Sequence, residues 1–191
     1  MEETLIGLKR GTVKIVPYNP AWAQIFEQEK LALKKMFGDR ILAIEHVGST
    51  AVPELPAKPI IDINVAITSL IDVQDFIEKL PTLGYQYLPN RSYPVPEYDY
   101  RHFFIKGPES NRTHHLKLIE LYNKEWKDSI LFRDYLRLNK EARDRYTTLK
   151  QQLTEKYADD RASYTEGKTE FIHEIIRQVR QKGKEVAHLA T

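Results

Sequence analysis

"HVGSTAVPELPAKPIIDINV", residues 46–65, decides how this chain is read. A Gly48-Ser49 step leads through a connection punctuated by Pro53, Pro56 and Pro59 into a run rich in isoleucine and valine. A short β-branched run bounded by turn residues is a buried strand. Side chains alternate along a strand, so Asp62 and Asn64 share one face while Ile61, Ile63 and Val65 share the other. Glycine lets backbone amides approach an anion, and serine adds a hydroxyl donor. An acid on the next strand suits a hard divalent cation. The amide at 64 stands where metal chemistry wants a second carboxylate.

Outward from this core, "TVKIV" (12–16) reads as a short strand and "RILAIEHV" (40–47) as a strand running into Gly48. Between them a helix is expected from Asn19 as cap and Pro20 in the first turn to Gly38 as stop, with Trp22, Ile25, Phe26, Leu33, Met36 and Phe37 on its buried stripe. Asp72 is a candidate cap for a helix through Leu80. "GYQYL", "RHFFIK" and "RTHHLKLIEL" supply further strands, and the proline-rich "PNRSYPVPEYDY" a surface loop. After Leu121 three amphipathic helices follow, the last opening with Ser163 and Glu166 at capping-box spacing. The expectation is an α+β protein: a mixed sheet packed with helices over about residues 12–121, and C-terminal helices over about 122–182 packed on it as one unit.

Bulk composition narrows the function. The chain contains no cysteine, which excludes disulfides, thiolate metal sites and cysteine nucleophiles. Its formal charge of +2 gives no electrostatic reason to expect nucleic acid as a partner. The start of the sequence lacks the apolar core of a signal peptide, and no apolar run reaches membrane-spanning length, so a cytoplasmic protein without membrane contact is expected.

Nucleotidyl and phosphoryl transfer need donors for phosphate oxygens and carboxylates for the metal that offsets their charge. Gly48, Ser49 and Thr50 supply the first, with Lys58 as a mobile cation. Asp62 meets the second need alone, since Asn64 offers only a neutral carbonyl oxygen. On the later strand His115 and Lys117 share a face, which makes them candidates to meet the ligand. A Lys117 aimed at Asp62 would pair with the acid and compete with a metal. Glu120 is the nearest further acid in sequence but falls on the opposite face from His115.

Gly48-Ser49, twelve residues, then Asp62-Ile63-Asn64-Val65 resembles the signature of the polymerase-β-like nucleotidyltransferases. The chain as a whole resembles the GrpB family within that superfamily, through "VPYNPAW", "IEHVGSTAVPELPAKPIIDINV", "LGYQY", "RHFFIK", "RTHHLKLIE", "FRDYLR" and "YTEGKTEFI". The resemblance implies a nucleotidyltransferase-like fold, a nucleotide or other phosphorylated ligand, and Mg²⁺ or Mn²⁺ held by Asp62. Fusion of family members to dephospho-coenzyme A kinase implies a nucleotide or coenzyme A setting. The chain departs from the family pattern at Asn64, usually Asp; at Glu54, commonly Gly; and at Lys117, usually His. Those departures leave two readings: nucleotidyl transfer centred on Asp62 and Asn64, or an impaired module that binds a ligand or supports a partner protein.

Arg101 is a further candidate phosphate contact, although exposed charges at strand ends are commoner. His46, Arg133, Tyr164 and Lys168 are candidates for the pocket rim. His46 reads equally well as a satisfied core histidine, and the arginine pair Arg133 and Arg137 as a solvated helix face.

Overall fold

The computed structural model describes residues 5–89 and 102–189. Most of the proline-rich loop and the candidate Arg101 lie outside the described residues. In chain order the elements are α1 (Ala21–Phe37), β1 (Ala43–Val47), β2 (Ile61–Ile67), α2 (Gln74–Lys79), β3 (Tyr85–Tyr87), β4 (His102–Lys106), β5 (His114–Glu120), α3 (Lys124–Leu138), α4 (Lys140–Lys156), α5 (Arg161–Glu166) and α6 (Thr169–Leu189). The expected α+β class is what the chain adopts.

The strands form one mixed sheet in the order β1-β2-β5-β4-β3. β2 and β5 run parallel, while β1–β2, β4–β5 and β3–β4 are antiparallel. Register pairs Asp62 with His115 and Asn64 with Lys117, so these four side chains emerge on the same face. On the other face Ile61, Ile63, Val65, Leu116 and Leu118 bury against Trp22, Phe26 and Leu33 of α1 and Phe76 of α2. Each fully buried side chain of this size contributes roughly 1.5–3 kcal/mol, and this core makes the two central strands a rigid platform.

The site face is only partly roofed. Trp126 of α3 packs over Ala66 and Ile119. Ser129, one turn on, accepts a hydrogen bond of 2.8 Å from the Asn64 amide. Asp62 lies beyond that roof, with about a third of its side chain exposed. A second apolar cluster ties Val52 and Leu55, from the β1–β2 connection, to Leu136, Ala142, Tyr146 and Ile175 of the C-terminal helices.

Some local expectations need correction. "TVKIV" contributes an isolated bridge, Val16 with Ala57, and no strand; a reciprocal pair of 2.9 Å backbone bonds closes it, and Pro17 has no amide to extend a ladder. The segment after the Gly-Ser step is a 3-10 turn, Ser49–Ala51. The helix expected from Ser163 is two helices, interrupted between Glu166 and Thr169. Its cap is Asp160, whose carboxylate accepts from the amides of Ala162 and Ser163. A β-carbon on Gly167 would stand 2.5 Å from Leu153, so this glycine lets the interruption pack against α4.

Candidate functional site

Gly48 ends β1 with φ 70°, a backbone conformation that favours glycine. It lies directly against Asp62 on the neighbouring strand. The turn and the acid therefore open onto a common cleft of about 680 Å³, reached also by α3, α5 and α6.

The charged and polar lining of the cleft includes Ser49, Lys58, Asp62, His115, Lys117, Arg161, Glu166 and Lys168. His115 Nδ1 donates to Asp62 Oδ1 at 2.9 Å, and Arg161 meets His115 Nε2 at 3.1 Å. A guanidinium only donates, so Nε2 accepts and the imidazole proton sits on Nδ1. Enclosure alone would raise the Asp62 pKa. The hydrogen bond from His115, with the charges of Lys117 and Lys58 beyond it, instead holds the carboxyl well below the usual carboxylate range.

Lys117 donates to Glu125 of α3 at 2.8 Å, so its ion pair lies with that acid. His115 engages Asp62 directly. Glu125 and Asp128 also line the cleft, Asp128 being bonded to Arg180. The further acids of this site thus come from a helix, not from Glu120, whose carboxylate accepts from the Leu70 amide.

Tyr164 is buried and carries two ammonium groups on its ring, Lys58 Nζ at 4.7 Å and Lys168 Nζ at 4.6 Å from the centroid. Burial, reinforced by Arg161 and opposed by Asp62, pushes Lys168 down to about 8. Behind the turn Lys150 is almost fully buried, donating to Ser49 Oγ at 3.3 Å and to the Pro56 carbonyl. Its ammonium lies 4.8 Å from the Tyr146 centroid, and burial holds its pKa well below the usual lysine range. An apolar wall of Phe103, Phe132, Ile172 and Ile176 completes the cleft.

The structure thus brings Gly48, Ser49, Thr50, Lys58, Asp62, His115, Lys117, Tyr164 and Lys168 together. Three other candidates sit elsewhere. His46 pairs with Ile63, on the core face, where it stacks on Phe26 and meets Thr50 Oγ1 at 3.0 Å. Burial lowers its pKa to about 4, the arginines 137 and 133 and His114 adding to this against Asp62. Asn64 is fully buried beneath α3, its Oδ1 without a hydrogen-bond partner. Arg133 is no solvated helix residue: it is buried, bonded to Glu45, Asp134 and the His46 carbonyl. Arg137 donates twice to the Ala51 carbonyl. These two arginines clamp α3 to the turn from behind.

Sequence reading missed Arg161, Glu125, Asp128 and Lys150. The first three reach the cleft by tertiary packing alone. Lys150 did leave a trace, since Ala142, Tyr146 and Lys150 recur four apart on the buried stripe of α4.

Among the described residues no cluster of three or more histidine, aspartate or glutamate side chains converges to hold an ion. Asp62 is engaged by His115, and Asn64 is turned to Ser129. No helix among the described residues is long and apolar enough to cross a membrane.

Comparison with known proteins gives the family. The model described as GrpB protein matches residues 12–178. The glutamate-rich protein GrpB of Alkalihalophilus pseudofirmus is 35% identical, over 92% of this chain and all of the relative. The crystal structure of the conserved protein GrpB from Enterococcus faecalis superposes with a TM-score of 0.78 at 35% identity, covering 88% of this chain and 98% of that one. A dephospho-CoA kinase of Mycolicibacterium paratuberculosis is 26% identical over 90% of this chain, which spans 47% of that protein. By its residues, its fold and these relatives, this chain belongs to the GrpB protein family.

Proposed function

We propose that the chain binds a nucleotide or other phosphorylated small molecule in the cleft between the Gly48-Ser49 turn and the α5–α6 segment. The observation that carries this reading is that Lys58, Arg161 and Lys168 line one cleft with a glycine-serine turn packed on Asp62. The volume of about 680 Å³ lies inside the range of small-molecule pockets. Phe103 and Phe132 on the apolar wall suit a base or another flat, apolar group. Similarity to part of a dephospho-CoA kinase favours nucleotides and coenzyme A as the first ligands to try.

The Gly-Ser step followed by an acid-bearing strand supports a nucleotidyltransferase-like ancestry. The donor set does not support two-metal nucleotidyl transfer, which needs several converging carboxylates. Asp62 is committed to His115, and Glu125 and Asp128 have cationic partners. We therefore read the protein as a phosphorylated-ligand module that works without Mg²⁺ or Mn²⁺.

Thermal denaturation with ATP, CTP, GTP and coenzyme A, each in EDTA and in Mg²⁺ or Mn²⁺, tests this. Ligand at a hundred times Kd stabilises by about 2.7 kcal/mol, and the same stabilisation is expected in EDTA. Absence of stabilisation by every compound removes the reading; metal-dependent binding with pyrophosphate release restores the transferase.

A further inference from the structure

Two partly buried lysines of the sheet pair with acids: Lys106 with Glu29 at 2.8 Å, and Lys117 with Glu125 at the same distance. Lys150 and Lys168 are arranged differently. Among the described residues neither has a carboxylate in ion-pair contact, and each ammonium rests on a tyrosine ring instead. A ring quadrupole attracts a cation without cancelling its charge. Removing such a charge from water is costly unless a counter-charge arrives. Burial holds both lysine pKa values below the usual range, with Asp62 only partly offsetting it at Lys168.

The geometry says where the counter-charge goes. Lys168 lines the cleft itself. Lys150 is sealed behind the turn, but it donates to Ser49 Oγ, and Ser49 lines the cleft. A hydroxyl oxygen that accepts from an ammonium keeps its own proton for another acceptor. Ser49 thereby presents to the cleft a donor polarised by the Lys150 side chain behind it.

We propose, building on the phosphorylated-ligand reading above, that the cleft is a metal-independent site for a phosphoryl group bearing two or more negative charges. Lys168 contacts this group directly, and Lys150 acts on it through Ser49. The two lysines supply the charge compensation that divalent ions supply in two-metal phosphoryl chemistry. Lys150 is a positioning residue in this scheme.

Inorganic pyrophosphate is the probe, titrated calorimetrically in EDTA against the parent, Lys168→Met, Lys168→Arg, Ser49→Ala, Lys150→Met and the Ser49→Ala/Lys150→Met double variant. Pyrophosphate is expected to bind the parent in EDTA, more weakly as salt rises. Loss of one charge-assisted contact, about 1.4 kcal/mol, makes Lys168→Met at least about tenfold weaker, while Lys168→Arg recovers most of the affinity. Ser49→Ala and Lys150→Met are expected to be strongly non-additive, since they act through one hydroxyl. In the absence of ligand, Lys168→Met should melt higher than the parent because an uncompensated charge is gone.

If Lys150→Met does not fold, the Lys168 pair decides alone. Unchanged pyrophosphate affinity in Lys168→Met, or binding only with Mg²⁺, overturns the inference. Should ATP or coenzyme A still bind in that event, the broader reading survives without it. If pyrophosphate, the nucleotides and coenzyme A all fail to bind the parent, both fall.

Discussion

Gly48 and Asp62 are in contact: a β-carbon placed on Gly48 would stand 2.6 Å from Asp62 Oδ2. The backbone there has φ 70°, so glycine is required both by conformation and by space. Gly48→Ala is expected to lower stability by about 1–3 kcal/mol through backbone strain and displacement of the acid. Urea unfolding measures it. The same variant should lose affinity for any ligand bound at the turn; a variant as stable as the parent would mean that the turn is not packed on the acid.

Asn64 provides a second test because it resembles a lost metal ligand. Ser129 Oγ gives its proton to the Trp126 carbonyl at 2.9 Å and so can only accept from residue 64. Aspartate there has no proton to offer, and the position is fully buried. Asn64→Asp should therefore lose at least about 2 kcal/mol at neutral pH. Mn²⁺ should not restore it, since α3 lies over the position. A large Mn²⁺-dependent rise in Tm confined to this variant would show that residue 64 reaches the cleft.

Two buried histidines set an acid limit on stability. Burial lowers both His46 and His114 to about 4. In the unfolded chain each takes its ordinary value near 6.5, so between the two values the unfolded state binds more protons and stability falls as pH falls. From pH 7 to 5 each is expected to contribute a loss on the order of 2 kcal/mol. His114 Nε2 has no hydrogen-bond partner, so His114→Phe should unfold with a shallower pH dependence than the parent. Denaturation series at the two pH values check this, and an equal slope in both proteins would remove His114 from the account.

The arginine clamp behind the turn is a stability element. Arg133→Met leaves Glu45, Asp134 and the His46 carbonyl without their shared donor. Glu45 is a third exposed, which moderates the cost to about 2–3 kcal/mol. Arg133→Lys should recover little of it, because one ammonium cannot reproduce a fork bonded to three acceptors. Equilibrium unfolding of the two variants separates these outcomes.

Much of this protein was legible from local chemistry. The β-branched run after three prolines fixed β2, alternation put Asp62 and Asn64 on one face, and Gly48 marked a turn that no other residue makes easily. Those features depend on neighbours within a few positions, so sequence carries them. The rest depended on which distant segments meet. Register across β2 and β5 set His115 opposite Asp62, where it binds the acid. The roof made by α3 closed over Asn64 and left Asp62 open, a distinction that strand alternation cannot make. Lys150 stands 101 residues from the Ser49 it meets and Arg161 46 residues from His115, brought there by the packing of helices whose own sequences specify only an apolar stripe. Alternation and turn chemistry are properties of a few adjacent residues, whereas a binding cleft is a property of surfaces, and only the burial of those surfaces against one another determines which charges face each other.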